Sequence, residues 1–206
     1  MISNRTTAII VGILFLTSTA AIFIGGTLIE SYFIDKPPDK TLLIIGTLLE
    51  VYCGIAVAGI GVLLFPILKP HNEKLALGYV VFRITELVVI IIGEVIILTL
   101  LTYSQDYYLI VAFFTGIGGL MFCYLMYQSK LIPRFISVLG LVGYSMLLTA
   151  LILEWLGYSS FSFFNFPGVM FYLPGMAFEI ILPVWLIVKG FNSSVIASES
   201  AKTDIN

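Results

Sequence analysis

The sequence predicts an all-α fold, a polytopic membrane bundle of six transmembrane helices that forms a single domain over residues 1–206. The chain is 60% hydrophobic and 11% charged, with a mean hydropathy of +1.10, whereas a soluble domain is about one-quarter charged. Its apolar residues fall into six runs, each long enough to cross about 30 Å of hydrocarbon as an α-helix. Six spans leave only short loops and tails, which excludes a separate soluble catalytic domain and a nucleic-acid-binding protein.

Prolines, charges and polar loops separate the six runs. The first run follows Arg5, and because it continues unbroken it favours a membrane span over a cleaved signal peptide. Pro66 ends the second run. Pro174 and Pro183 lie in the sixth run, which predicts a kinked or interrupted helix because proline frees a backbone carbonyl. The predicted spans cover about residues 7–28, 42–65, 75–101, 107–127, 135–156 and 169–188.

The basic residues predict the orientation of the spans. Seven of the ten fall on one side: Arg5, Lys69, Lys74, Lys130, Arg134, Lys189 and Lys202. Lys36 and Lys40 fall on the other side, and Arg83 lies within a span. Cytoplasmic loops carry an excess of Lys and Arg, so both termini are expected in the cytoplasm. We expect a multi-pass protein of the bacterial plasma membrane, whose first partner is the lipid bilayer.

The cysteine and histidine content excludes several chemistries. Cys53 and Cys123 both lie in apolar runs, which predicts buried free thiols rather than a disulfide. The single histidine, His71, lies in a loop, so paired haem ligands, a histidine-based zinc site and a Ser–His or Cys–His catalytic pair lack their residues. We therefore expect no cofactor, no metal site, no catalytic residues and no enzymatic activity.

Ionisable residues within the spans are the feature that needs explanation. They are Glu50, Arg83, Glu86, Glu94, Glu154 and Glu179. Each costs about 2.5–3.5 kcal/mol near the centre of a membrane helix. Glu154 lies near the outer end of its span, where water solvates it. One arginine cannot neutralise the other four acids, so the surplus must be protonated, hydrated in a cavity or paired with a bound cation.

Arg83 and Glu86 are expected to form a pair, because residues three apart share one face of a helix. Glu179 lies at nearly the depth of Glu86 in an antiparallel span, so it is the expected third member of a polar cluster. A buried Arg–Glu pair is also explained by a purely structural clasp between helices. The sequence leaves both interpretations open.

A second group of acids predicts an acidic pocket. Glu50 continues a series of small residues at a spacing of four (Gly46, Gly54 and Ala58), which turns it towards the bundle interior. Glu94 follows Arg83 by about three helical turns and points the same way, about 16 Å farther out. We expect Glu50 and Glu94, together with Glu179, to line one pocket that opens outward and takes a small cationic or protonatable ligand.

Four short motifs carry a resemblance to a known family. They are Arg5-Thr6, Arg83-Ile-Thr-Glu86, Leu131-Ile-Pro-Arg134 and Glu179 followed by Trp185-Leu-Ile-Val-Lys-Gly-Phe191. In this order they resemble the bacterial integral membrane family catalogued as domain of unknown function 4386. The resemblance covers essentially the whole chain. It implies the six-helix fold and gives weight to Arg83, Glu86 and Glu179, but no activity.

Three classes of function remain. The first is a small-solute or cation/proton-linked transporter or solute-binding protein that uses the acidic pocket. The second is a non-transporting sensor, immunity or accessory protein that docks against another membrane protein or a second copy, with Arg83–Glu86 as a clasp. The third, an intramembrane enzyme, is weakest, because the spans lack the histidines and aspartates of intramembrane proteases. A substrate-capturing subunit of a vitamin importer is similar in size alone.

Overall fold

The computed structural model of the protein describes residues 3–34, 39–158, 160, 165–192 and 194. These residues form six α-helices and no strand: α1 (Asn4–Ile34), α2 (Lys40–Leu68), α3 (Glu73–Leu100), α4 (Gln105–Ser129), α5 (Arg134–Trp155) and α6 (Gly168–Val188). Each predicted span corresponds to one helix, and the all-α prediction is confirmed. Lys36 and Lys202, which entered the orientation argument, lie outside the described residues.

Local sequence explains where several helices begin and end. Asp39 and Asn72 accept backbone N–H groups at the starts of α2 and α3, as N-cap residues do. Leu101 and Lys130 adopt left-handed backbone conformations just after α3 and α4, which ends both helices. The interruption expected in the sixth run is absent, since α6 is continuous with Pro174 and Pro183 inside it. Of the kink or interruption predicted there, the interruption is therefore wrong.

Five of the six helices, all except α3, are long and apolar enough to cross a membrane by length and composition. Beyond the first turn of α3 the charged residues face inward, since Arg83, Glu86 and Glu94 are each at most 3% exposed. The exposed face of α3 carries apolar residues such as Ile84 and Val95 instead. A helix at a water-facing surface has the opposite arrangement. The five apolar helices and this reversed face together indicate a multi-pass membrane protein.

The helices form a closed ring in chain order. Each helix packs against its neighbours in sequence, and α6 closes the ring against α1. Consecutive helices run antiparallel, as contacts of α3 with α4 show: Gly93 lies against Tyr107 and Gly78 against Met121. The end at which α1 begins and α6 ends carries Arg5, Lys69, Lys74, Lys130, Arg134 and Lys189, and is called the basic end. The other end of the ring is called the distal end.

Glycines bring two pairs of helices into backbone contact. A side chain on Gly46 of α2 would meet the carbonyl oxygen of Gly25 in α1 at 2.8 Å. A side chain on Gly143 of α5 would meet the backbone of Gly175 in α6 at 2.5 Å. Small residues at such crossings let membrane helices approach closely and gain van der Waals contact, which takes the place of the hydrophobic effect between helices. Gly46 of the small-residue series thus lies at the crossing with α1, whereas Gly54 of the same series lies against Leu87 of α3.

An aromatic layer fills the interior of the ring towards the basic end. It consists of the buried residues Phe15, Tyr79, Phe122, Tyr144 and Phe178. The ring of Phe122 lies 5.2 Å from that of Tyr79 and 6.5 Å from that of Phe178, measured between centroids. Tyr144 and Phe178 meet edge to face at 5.7 Å. Such offset and edge-to-face contacts are the favourable geometries for aromatic pairs, so this layer closes the ring interior firmly.

Candidate functional site

A cavity of about 90 Å³ lies inside the ring, on the distal side of the aromatic layer. Five helices contribute to its wall, with α5 as the exception. Its polar lining consists of Ser18, Thr19, Cys53, Arg83, Glu86, Thr115 and Glu179. A space of this size holds several water molecules, or one small ion with some of its water. We call it the central cavity.

Arg83 and Glu86 form a buried ion pair at the wall of the central cavity. Arg83 Nη1 lies 2.7 Å from Glu86 Oε2. The second oxygen of Glu86 accepts a hydrogen bond of 2.7 Å from Thr115 of α4. The guanidinium also lies over the ring of Tyr79, 5.3 Å from its centroid, which adds a cation–π contact. The charge on each side chain is thereby balanced, and α3 is tied to α4.

Glu179 of α6 borders the same cavity without a cationic partner. Its carboxyl accepts hydrogen bonds from Thr19 at 3.1 Å and from Tyr144 at 3.3 Å. Within the described residues it forms no ion pair with Arg83, whose only such partner is Glu86. Glu179 and Arg83 do not pair because α3 and α6 lie on opposite sides of the ring and pack against other helices. The cavity therefore brings the three predicted residues together, but direct contact joins only two of them.

Glu50 and Glu94 meet in a second group, with two tyrosines of α4. The hydroxyl of Tyr107 lies 3.3 Å from Glu50 Oε2 and 3.4 Å from Glu94 Oε1. The hydroxyl of Tyr108 donates to Glu50 Oε1 at 2.9 Å. Both carboxyls are buried, and Glu94 Oε2 has no hydrogen-bond donor within the described part of the chain. We call these four residues the acid–tyrosine layer.

The acid–tyrosine layer lies one helical turn from the central cavity, towards the distal end. On α3, Glu94 follows the cavity-lining residue Ile90 by four positions, and on α4, Tyr107 precedes the lining residue Val111 by four. Four residues correspond to about 6 Å along a helix. The central cavity is thus enclosed by the aromatic layer on one side and the acid–tyrosine layer on the other.

One expectation from the sequence needs correction here. Glu50 and Glu94 do not line the cavity that Glu179 borders, so the acids do not share one pocket. Tyr107 and Tyr108 reach these carboxyls from α4: both hydroxyls bond Glu50, and that of Tyr107 also lies within reach of one oxygen of Glu94. Glu154 lies in the last turn of α5, partly exposed and away from both groups.

Sequence reasoning missed the hydroxyl residues of the site. Thr19 and Tyr144 donate to Glu179 and Thr115 donates to Glu86, and the two tyrosines at the start of α4 donate to the acid–tyrosine layer. The sequence could have indicated the tyrosines: Tyr107 and Tyr108 follow Glu94 across a short link between antiparallel helices, so they lie at a depth similar to that of Glu94. The threonines carry no such signal. Within the described ranges no group of acidic, cysteine or histidine residues is placed to hold a metal ion.

Comparison with known proteins identifies a family and nothing more. Residues 10–109 and 104–190 match the family model described as Domain of unknown function (DUF4386). These stretches include every residue of the central cavity and of the acid–tyrosine layer. No curated protein and no solved structure matches the chain.

Proposed function

The chain belongs to the DUF4386 family of unknown function, and from its own geometry we propose that it binds and carries a small cationic or protonatable solute across the plasma membrane, with no catalytic step. In this proposal all six helices span the bilayer, α3 included, and both chain ends lie in the cytoplasm. The apolar outer face of α3 supports the sixth span. The basic end supports the orientation, because cytoplasmic ends collect Lys and Arg.

The observation that carries the proposal is the position of Glu179. Its carboxyl borders the central cavity and has hydroxyl partners, and no cationic side chain pairs with it in the described part of the chain. An ionised carboxylate inside a membrane bundle is expensive unless a cation or a proton accompanies it. A small cation in the central cavity supplies that charge, and Arg83 on the opposite wall, already paired with Glu86, does not compete for it.

The acid–tyrosine layer supports a link to protons. Two carboxyls that share one tyrosine hydroxyl, with no cation beside them, repel each other when both are ionised. One shared proton removes that repulsion and provides the donor that Glu94 Oε2 lacks. Loss of this proton favours separation of α2 from α3 beside the cavity. In the proposed cycle, proton release and solute exchange therefore occur at neighbouring levels of the ring.

Uptake into proteoliposomes tests the proposal, with methylammonium as the probe. We expect the purified protein to accelerate methylammonium uptake, and Glu179→Gln to abolish most of that increase. Glu154→Gln is the matched control, because it makes the same change in a membrane helix away from the cavity. Glu50→Gln should leave uptake less dependent on a pH gradient. Uptake that is unchanged in Glu179→Gln contradicts the proposal.

A second function is favoured by one observation. Both oxygens of Glu86 have partners on neighbouring residues, Arg83 and Thr115, as a structural clasp requires. In that case the protein is a non-transporting sensor, immunity or accessory protein that docks against another membrane protein or a second copy. Absence of uptake for a panel of small cations by correctly folded protein, with a membrane protein that co-purifies in fixed ratio, favours this function over transport.

A further inference from the structure

A second, larger cleft opens at the basic end of the ring, separate from the central cavity. It has a volume of about 530 Å³ and lies between the α4–α5 turn and the end of α6. Three cationic residues line it, Lys130, Arg134 and Lys189, together with the aromatic residues Trp185 and Phe191. Two stretches of the motifs that carry the family resemblance, Leu131–Arg134 and Trp185–Phe191, meet in this cleft. Neither stretch lines the central cavity.

No acidic residue pairs with the cations of this cleft in the part of the chain that the structure describes. Among the described residues, the ion pairs are Lys69–Glu73 and Arg83–Glu86, so Lys130, Arg134 and Lys189 are left without one. Arg134 contacts the ring of Tyr127 at 5.2 Å from the guanidinium carbon to the centroid, which leaves its N–H groups available. Three unpaired cations around one cleft produce a field that attracts an anion.

Helix ends add to this field. α5 begins at Arg134 without a side-chain cap, so its positive N-terminal end lies at the cleft. The C-terminal carbonyls of α6 would oppose an anion, but Arg5 covers them. Its guanidinium donates to the carbonyls of Leu186 at 3.2 Å and Ile187 at 2.7 Å. The side of the cleft that would repel negative charge is therefore neutralised by a residue outside it.

The floor of the cleft is held in place by packing and a backbone hydrogen bond. Leu131 and Ile132 are buried in the core, and the N–H of Asn192 donates to the carbonyl of Leu131 at 2.8 Å. This bond joins the segment after α6 to the α4–α5 turn. Lys130 and Lys189 thus stand on two chain segments whose separation is fixed, which lowers the entropic cost of binding between them.

We propose that this cleft binds a phosphate-bearing anion, independently of any solute in the central cavity. Lysine and arginine are the residues that recognise phosphate oxygens, through charge and through N–H donors. A membrane lipid headgroup and a free phosphate present the same chemistry. Trp185 and Phe191 provide apolar walls beside the cations, which match the glycerol and upper acyl region of an anionic phospholipid.

Binding of defined anions to the purified full chain in neutral detergent tests this inference. The probes are phosphatidylglycerol, phosphatidylcholine and inorganic phosphate, and native mass spectrometry with the shift in thermal unfolding midpoint reports binding. We expect phosphatidylglycerol to bind in preference to phosphatidylcholine. Lys130→Gln combined with Lys189→Gln should weaken binding at least about tenfold, since each cation beside an anionic headgroup contributes several-fold.

The matched control is Lys69→Gln combined with Lys74→Gln, which removes the same charge from the same end but outside the cleft. Equal weakening by the two double variants overturns the inference, as does equal binding of both lipids with no effect of phosphate. Competition by inorganic phosphate assigns a soluble anion, and its absence assigns the lipid headgroup. If the cleft variant does not fold, the test uses Lys130→Arg with Lys189→Arg, which must retain binding, and high salt, which must weaken it.

Discussion

Helix α3 carries two buried glutamates, Glu86 and Glu94, and their partners differ. Glu86 lies 2.7 Å from Arg83 of its own helix, and its second oxygen accepts from Thr115. Glu94, about two turns farther along, pairs with no cation among the described residues and shares the hydroxyl of Tyr107 with Glu50. Both glutamates are at most 3% exposed. The same residue type, equally buried, thus occurs once with a counter-charge and once without.

The difference teaches that burial alone does not distinguish these acids, and that in the proposed function the counter-charge separates the structural acid from the functional ones. The Arg83–Glu86 pair carries its own counter-charge, and Glu86 also bonds Thr115, so the pair serves as a fixed tie between α3 and α4. The acid–tyrosine layer has no cation of its own among the described residues, and in the proposed function a proton takes that place. Glu179 has hydroxyl partners but an unbalanced charge, and it borders the central cavity, where a ligand can supply the balance.

Loss of the counter-charge should have the largest effect on stability. Arg83→Met leaves Glu86 buried without a cation and should lower the free energy of unfolding by about 3–5 kcal/mol. Adding Glu86→Gln should restore a large part of that loss, because a neutral amide keeps the hydrogen bond to Thr115. Glu179→Gln should restore less, since it does not contact Arg83. Thermal and denaturant unfolding in detergent measure all three, and purely additive losses would refute the pairing.

Gly93→Ala should have the next largest effect on stability. It acts on the second pair of acids, Glu50 and Glu94. The ring of Tyr107 lies directly against Gly93, so an added methyl group must displace it from Glu50 and Glu94. We expect a loss of about 1–3 kcal/mol, the range for overpacking a close-packed interior. Gly59→Ala is the control, because its added carbon meets only Leu14 at 3.9 Å. Equal stability of the two variants would show that Tyr107 can move freely.

Tyr107→Phe sharpens the comparison within the acid–tyrosine layer. It removes the hydroxyl shared by Glu50 and Glu94 and keeps the ring, so about 1 kcal/mol of stability should be lost. Infrared spectra should show a change in the protonated-carboxyl band, which Glu50→Gln also alters. Phe substitution at Tyr103, a neighbour whose hydroxyl makes no bond to either acid, serves as the control. Identical carboxyl spectra for wild type and Tyr107→Phe would contradict the shared hydroxyl.

Glu154→Gln should have the smallest effect of these changes. Glu154 lies partly exposed in the last turn of α5, so water can reach its carboxyl. We expect the free energy of unfolding to change by less than about 0.5 kcal/mol, as for ordinary surface substitutions. Unfolding in detergent measures this change, with Arg83→Met measured under the same conditions for comparison. A loss comparable to that of Arg83→Met would show that exposure does not distinguish these acids.

Local patterns in the sequence predict the helices and part of the site. Hydrophobic runs locate all six helices, and the spacing of three predicts the Arg83–Glu86 pair found in the structure. The small-residue series predicts that Glu50 faces inward, where it is buried. These inferences succeed because each depends on the geometry of one helix.

The arrangement of the helices around the ring could not be predicted in the same way. The sequence predicts the depth of each residue along the membrane but not the order of the helices in the ring. It therefore predicts Glu179 in contact with α3, whereas the structure places Glu179 across the cavity from α3. The tyrosine bridge depends on Gly93 leaving room for the ring of Tyr107. Contacts of this kind combine residues from three helices, and no single-helix pattern encodes them.

Infrared difference spectroscopy of cation binding tests the central claim most directly. Sodium, ammonium and methylammonium are added in turn to the purified protein, and the carboxyl bands are compared with those of Glu179→Gln and Glu154→Gln. The account predicts that at least one cation changes a carboxyl band in the wild type and in Glu154→Gln, and that this change is lost in Glu179→Gln. The same change in Glu179→Gln, or no change with any of the three cations in the wild type, would contradict it.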